Sequence, residues 1–252
     1  MNPASSAAVP HAMPGRITRP VLVVAGMVLE ADAVRGATGL DVRVAMGPAA
    51  RDPDGRLAHL LPTVSGIVSF GTAGALDPTL RPGDCLLPSA VVDASGRQWA
   101  TDAHWRAALA TQWQRQGQSP VTCHQGLIAG SDTAVCSTAD KAAWFSQTRA
   151  SAVDMESHAL AALAASYGLP FLVCRVVLDR ADHDVPAAAM AGLTADGRTT
   201  VLPVIGALLR EPGQLGALLR LGRDASTAQK TLKAIAAHLP PHFGLPDTAL
   251  RR

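Results

Sequence analysis

The sequence predicts an α/β protein built as one domain around a central, mostly parallel sheet. Short β-branched runs alternate with Ala/Leu-rich stretches of helical length from Pro20 to about Asp179. Phe171–Leu178 is almost continuously apolar, as a strand buried on both faces is. Ser151–Val153, an Ala/Leu-rich stretch ending near Tyr167-Gly168, and Phe171–Leu178 read as strand, helix, strand, the unit that joins parallel neighbours.

Taken in order, Pro20–Ala25 is the first strand and Gly26-Met-Val-Leu-Glu30 opens a helix to about Arg35. Leu40–Met46 and Val64–Phe70 are further strands, separated by a Pro/Asp/Gly-rich loop and a short helix near His59. Asp84–Val92 and Val121–Ile128 continue the sheet, with a helix at about Trp105–Gln116 between them. Beyond Asp179 comes a polar loop, Asp182-His-Asp-Val-Pro186, then Leu-rich helical segments at Val201–Leu209 and Gln214–Leu239. There is no internal repeat and no linker, so one domain over residues 20–240 is expected, with a disordered tail at 1–19 and a second tail at 241–252.

Composition excludes several classes. The 252 residues carry a net charge of only +2, and the 22 basic residues are scattered with no basic, aromatic-interleaved stripe, which argues against nucleic-acid binding. Cys85, Cys123, Cys136 and Cys174 form no C-x-x-C pair and no metal-finger spacing, so neither a metal nor a cofactor is expected. Unpaired thiols fit a reduced, cytoplasmic setting. The first sixteen residues are rich in Ala, Ser and Pro and lack the layout of a signal peptide, and the apolar run after Pro20 is too short to span a bilayer. Leu208, Leu209, Leu215, Leu218 and Leu219 leave three openings: core, the wall of a wide apolar pocket, or peripheral contact with a membrane.

The chemistry is expected at strand ends. In open α/β sheets ligands bind beyond the carboxyl ends of strands, where Glu156 and Asp179 both fall. Singly, each has a plain structural use, Asp179 as a turn cap and Glu156 as a helix N-terminal acid. Phe70-Gly-Thr-Ala-Gly-Ala-Leu-Asp77 follows a strand, so its backbone N–H groups can meet an anion or a sugar. It matches neither a dinucleotide fingerprint, nor a P-loop, nor a nucleophile elbow.

Four segments in order resemble the purine-nucleoside phosphorylase and nucleosidase superfamily: Gly26-Met-x-x-Glu30; Gly71-Thr-Ala-Gly-Ala-Leu with Arg81-Pro-Gly-Asp84; Gly126-Leu-Ile-Ala-Gly-Ser131; and Val153-Asp-Met-Glu156 leading to Arg175-x-x-x-Asp179. The resemblance implies a phosphorylase/hydrolase-like α/β/α sandwich with a mixed, mostly parallel sheet. It is greatest to methylthioadenosine/S-adenosylhomocysteine nucleosidases. After Asp179 the pieces Ala-Gly-Leu193, Asp196-Gly-Arg198 and Arg210-Glu-Pro-Gly-Gln-Leu215 look more like hopanoid-associated phosphorylases, thought to remove adenine from adenosylhopane.

By that resemblance Asp179 is the general acid toward N7 of adenine, and a carboxyl in an apolar pocket keeps its proton near neutrality. Glu156 binds the ribose hydroxyls, with Met155 beneath the sugar. Glu30 orients or deprotonates the attacking water. Arg175 holds Asp179 or Glu30, or serves as a buried structural pair. Ser131–Val135 lies against the base, with aliphatic walls in place of an aromatic. Gly71 and Thr72 line the site, and inorganic phosphate is the one co-substrate to consider. Two departures stand out: Leu178 replaces a serine that orients the acid in the nucleosidases, and Ser69 replaces an arginine that binds phosphate in many of the phosphorylases. Without that arginine, phosphate would rely on Thr72, main-chain N–H groups, Arg43 or Arg51. The expected partner is a small nucleoside or nucleoside-lipid, and relatives that share active sites between subunits imply a homo-oligomer. The other readings are a soluble methylthioadenosine/S-adenosylhomocysteine nucleosidase and a nucleoside-binding module without chemistry.

Overall fold

A computed structural model describes residues 19–37, 42–46, 56–115, 123–192 and 201–246. Most of the expected N-terminal tail, Arg51, and the 193–200 stretch containing Leu193 and Asp196-Gly-Arg198 therefore lie outside the described residues, as does the Arg43 side chain.

Two nine-residue strands, β3 (Ile67–Ala75) and β10 (Phe171–Asp179), run parallel in the middle of the molecule. Their alternate side chains divide between two cores, which is what a period of two imposes on a strand covered on both faces. Val68, Phe70, Leu172, Cys174 and Val176 face one core, closed by α1 (Val28–Arg35), α3 (Ala103–Arg115) and α8 (Leu215–Ala237). Ile67, Ala73, Ala75, Phe171, Val173 and Val177 face the other, closed by α2 (Arg56–Leu60) and α5 (Ser157–Ser166). The α/β/α sandwich is thus a direct result of alternation in the strands.

The ten-stranded sheet is mixed. The remaining strands are β1 (Val21–Ala25), β2 (Val42–Met46), β4 (Cys85–Leu86), β5 (Ala90–Asp93), β6 (Gln98–Ala100), β7 (Cys123–His124), β8 (Leu127–Gly130) and β9 (Ala152–Asp154). Their order is β6-β5-β8-β9-β3-β10-β4-β7, with β1 on the first half of β3 and β2 on β1. Parallel pairings predominate, and β10–β4, β3–β9 and β5–β6 are antiparallel.

Several expectations change in detail. Asp84–Val92 is two strands, because the chain leaves β10 after Leu86, passes Pro88, and joins β8 at the other wing as β5. Val121–Ile128 divides likewise at Gln125-Gly126 into β7 and β8, which sit at opposite ends of the strand order. The strand–helix–strand unit exists, yet β9 and β10 are neither adjacent nor parallel: β9 is antiparallel to β3, which lies between them. The 71–75 stretch is the second half of β3 and not a loop after it.

The polar segment Thr138–Thr148 is an unanticipated helix, α4, whose N-cap Ser137 accepts from Asp140 N at 3.0 Å. The core also runs past residue 240. Phe243 is fully buried, packs edge-on against Phe70 with ring centroids 5.9 Å apart, and its carbonyl accepts from Trp105 Nε1 at 2.9 Å. Burying such a ring contributes about 1.5–3 kcal/mol.

Candidate active site

Four strand ends converge on a cavity of about 220 Å3. The first half of β3 carries β1 and the second half carries β9 on the same side, so the β1–α1 turn, Gly71–Gly74, the β9–α5 turn and the end of β10 meet. The walls are mostly apolar: Met27, Ala73, Ala134, Val135, Val153, Met155, Leu178, Val185 and Met190. Glu30, Asp154, Glu156, Arg175 and Asp179 supply charge.

Three glycines give the acids room. A Cβ on Gly26 would stand 2.6 Å from Glu156 Oε1, and one on Gly74 would stand 3.2 Å from Asp179 Oδ1. Gly71, at φ +148°, leaves space for the Glu30 carboxylate and for Arg175 Nη1, which a Cβ would meet at 2.7 Å. Close approach of acids, and not an anion cradle, is what this glycine serves.

Glu30 stands in the first turn of α1 and is buried. Its Oε2 accepts from Gly26 N (3.1 Å) and Met27 N (3.0 Å), and its Oε1 from Thr72 N and Thr72 Oγ1, both 2.8 Å. Four donors fill the roughly four lone-pair positions of a carboxylate. The Thr72 N–H expected to meet an anion is therefore already used by Glu30.

Arg175 is buried in the middle of β10 and pairs with neither Asp179 nor Glu30 at salt-bridge distance. Its Nε lies 2.8 Å from Asp154 Oδ2 and its Nη2 3.0 Å from Glu156 Oε2. Nη2 also donates to Ser69 Oγ at 2.7 Å, and Ser69 Oγ lies 2.9 Å from Ser157 Oγ. Ser157 Oγ closes the ring by donating to Asp154 Oδ2. Ser69 is thus a fully buried link in this network.

The acids Glu30, Asp154 and Glu156 surround one guanidinium, whose pKa is pushed up by them against the opposing effect of burial. Glu156 is pushed up to about 7, first by burial and further by Asp154 and Glu30, while Arg175 pulls it down.

Asp179, at the end of β10, is paired with Lys141 of α4. The lysine has no exposed surface, and its other two N–H groups donate to Arg180 O (2.8 Å) and His183 O (2.7 Å). Burial pushes the Asp179 carboxyl above its ordinary value, and Lys141 opposes that shift.

Of the residues expected from sequence, the fold brings Glu30, Thr72, Met155, Glu156, Arg175, Val135 and Asp179 to the cavity, together with Ala134 as an aliphatic wall. Ser131 is not among the lining residues. It is buried behind the loop, where its Oγ donates to Thr133 O at 2.7 Å. Gly71 acts from behind Glu30 in the same way. His158 faces away to Asp132, with Nε2 3.1 Å from Oδ1, and does not line the cavity.

Lys141, paired with Asp179, and Asp154, paired with Arg175, are the charged residues of the site that the sequence reading did not single out. Ser137-x-x-Asp140 before Lys141 is a helix-start signal that was present, and Asp154 stands inside a motif already noticed for Glu156. The exposed leucines Leu209, Leu215 and Leu219 do not line the cavity. No described helix is long and apolar enough to cross a membrane.

Comparison with solved structures returns the same architecture. The chain superposes with TM-score 0.59 and 18% identity on a mutant of the Helicobacter pylori methylthioadenosine/S-adenosylhomocysteine nucleosidase with 5′-methylthioadenosine in its active site, covering 87% of this chain and 98% of the other. The Helicobacter pylori futalosine hydrolase gives 0.59 at 18% identity over 86% and 97%. The Neisseria meningitidis 5′-methylthioadenosine/S-adenosylhomocysteine nucleosidase in complex with methylthio-immucillin-A gives 0.58 at 18% over 86% and 98%. At such identity the likeness is one of fold. The model of the phosphorylase superfamily matches residues 15–202, from before β1 to beyond the acids at the cavity, and the chain belongs to that superfamily.

Proposed function

We propose that this protein cleaves the N-glycosidic bond of an adenine nucleoside with an apolar 5′ substituent, adenosylhopane being the substrate to which the sequence resemblance points. The observation that carries the reading is the placement of two acids in one apolar-walled cavity: Asp179, buried against Lys141, and Glu156, half-buried against the Arg175 that it shares with Asp154.

Breaking the bond between ribose and adenine leaves its electron pair on the base and positive charge on the sugar. In this reading adenine lies among Ala134, Val135, Val153 and Leu178, and the protonated Asp179 gives its proton to N7 as the bond breaks. The ribose lies over Met155 with its hydroxyls on Glu156. The negative end of the cavity, three acids to one arginine, stabilises the sugar cation where it forms. The nucleophile is water held by Glu30. Taking up its proton requires one of Glu30's four donors to give way, and the Thr72 hydroxyl can rotate.

Water is favoured over phosphate because Arg175 is the only cation lining the cavity among the described residues, and its guanidinium is held by Asp154, Glu156 and Ser69. A cavity of about 220 Å3 is smaller than the ~300–1,000 Å3 of typical ligand sites. That size suits the nucleoside itself, so a bulky 5′ group would have to extend beyond it. The same size favours the second reading, a methylthioadenosine/S-adenosylhomocysteine nucleosidase.

The test is adenine release from adenosylhopane and from methylthioadenosine, each with and without phosphate, with mass analysis of the sugar product. Release from the lipid, independent of phosphate and yielding an unphosphorylated ribose end, is expected. Release from methylthioadenosine alone selects the second reading, and a ribose phosphate product replaces water by phosphate. Adenine from neither substrate overturns the enzyme in favour of a nucleoside-binding module.

A further inference from the structure

We propose that Lys141 is the positioning residue for the acid of this site: it fixes the Asp179 carboxyl through one oxygen and sets how readily the other gives up its proton. The inference rests on the reading of Asp179 as proton donor.

Lys141 is a costly residue to place here. An ammonium with no exposed surface loses its hydration, and an apolar side chain would pack α4 against the sheet without that penalty. The fold instead satisfies all three N–H groups. Two go to the carbonyls of Arg180 and His183, in the turn directly after β10, and the third to Asp179 Oδ2. The cation is thereby tied to the same turn as the acid it meets.

With Oδ2 held, Oδ1 is the oxygen nearer Gly74, where a Cβ would stand 3.2 Å from Oδ1 and 3.4 Å from Oδ2, and both residues line the cavity. The residue before the acid, Leu178, lines the cavity with an aliphatic side chain and offers no hydroxyl to orient the carboxyl. Lys141 supplies that orientation from a different helix.

The chemistry follows. The Asp179 proton passes to N7 of adenine, the electron pair of the breaking bond goes to the base, and the carboxylate left behind stays paired with the Lys141 ammonium. Solvent restores the proton between turnovers. Among the described residues Asp179 is the one that lines both the main cavity and a small gap bounded by His183, Asp184, Arg220 and Asp224, which gives the acid a second face. Asp224 of α8 acts against Lys141 by favouring the protonated acid, and His183 acts with Lys141. Cys136, Asp140 and the Arg180 side chain, the last paired with Asp182, are the other titratable and charged groups nearby among the described residues.

The experiment measures adenine release against pH for wild type, Lys141→Met, Asp179→Asn and the double variant, on whichever of adenosylhopane and methylthioadenosine the wild type cleaves. Lys141→Met should lower turnover by about 10- to 100-fold. It should also move the alkaline limb up by about one pH unit or more, because a nearby cation no longer favours the ionised acid. In the Asp179→Asn background the same substitution should change neither turnover nor pH dependence. An alkaline limb that stays in place in Lys141→Met, or an undiminished effect of that variant on Asp179→Asn, overturns the inference. Near-normal turnover of Asp179→Asn instead overturns the acid reading beneath it.

If Lys141→Met does not fold, Lys141→Gln and Lys141→Arg carry the test. The glutamine should raise the limb, and the arginine, which keeps the charge but displaces it, should lower turnover with the limb in place. Equal limbs in the two variants would contradict the inference.

Discussion

The two ends of the cavity solve the same problem, a buried carboxylate, in different ways. At the β10 end one lysine meets one acid, a pair that is neutral when the acid is ionised. At the β9–α5 end one arginine serves Asp154 and Glu156 directly, with Glu30 close by, and negative charge is in excess. In the proposed reaction a single cation beside the acid favours release of its proton and leaves a neutral pair, and a negative cluster suits a centre that becomes positive. The difference teaches that the ratio of cations to acids, more than the acids themselves, assigns each end its chemistry.

Breaking the shared cation should have the largest effect. Arg175→Met strands Asp154 and Glu156 in the core, where loss of one partner of a buried pair costs about 3–5 kcal/mol; chemical denaturation of the variant at pH 8 checks this. Next, Asp179→Asn should keep adenosine-like ligands bound while turnover falls at least about a hundredfold, read from single-turnover kinetics. Glu156→Gln should lower turnover by about 10- to 100-fold and weaken binding, since it removes negative charge beside the developing cation.

The comparison sharpens with pH. In the proposed reaction Glu156 acts as a carboxylate, and its pKa is pushed up to about 7, so wild-type kcat/KM should rise with pH through about 7, and that limb should disappear in Glu156→Gln.

The smallest effect concerns stability. The native state holds the Glu156 proton more tightly than the unfolded chain, so stability falls as pH rises from about 4.5 to about 7. Glu156→Gln should therefore be more stable than wild type at pH 8.5, by on the order of 1–3 kcal/mol in chemical denaturation. The gap should narrow as pH falls through about 7 and close below about 4.5.

The acids were legible in the sequence because strand ends announce them: Glu30 after Val21–Ala25, Glu156 after Ala152–Asp154 and Asp179 closing Phe171–Leu178. Their partners were not. Arg175 is matched to Asp154 by the antiparallel docking of β9 on β3, a register that local pattern does not contain. The Lys141–Asp179 pair spans 38 positions and depends on a helix whose polar sequence hides it. Leu76–Val153 packing beneath α4 is likewise settled only once β8 and β9 lie side by side. Strand patterning, by contrast, is local, which is why a mostly parallel α/β sheet could be read from the residues themselves, the sandwich being what the family resemblance implied.

The division of labour between the two ends is tested most directly by changing the leaving group. Asp179→Asn and Glu156→Gln should be compared on an adenine nucleoside and on a nitrophenyl riboside, whose leaving group departs without protonation. Asp179→Asn should be impaired at least about a hundredfold on the first substrate and recover to within a few-fold of wild type on the second, while Glu156→Gln stays impaired on both. Equal impairment of the two variants on both substrates would contradict the account.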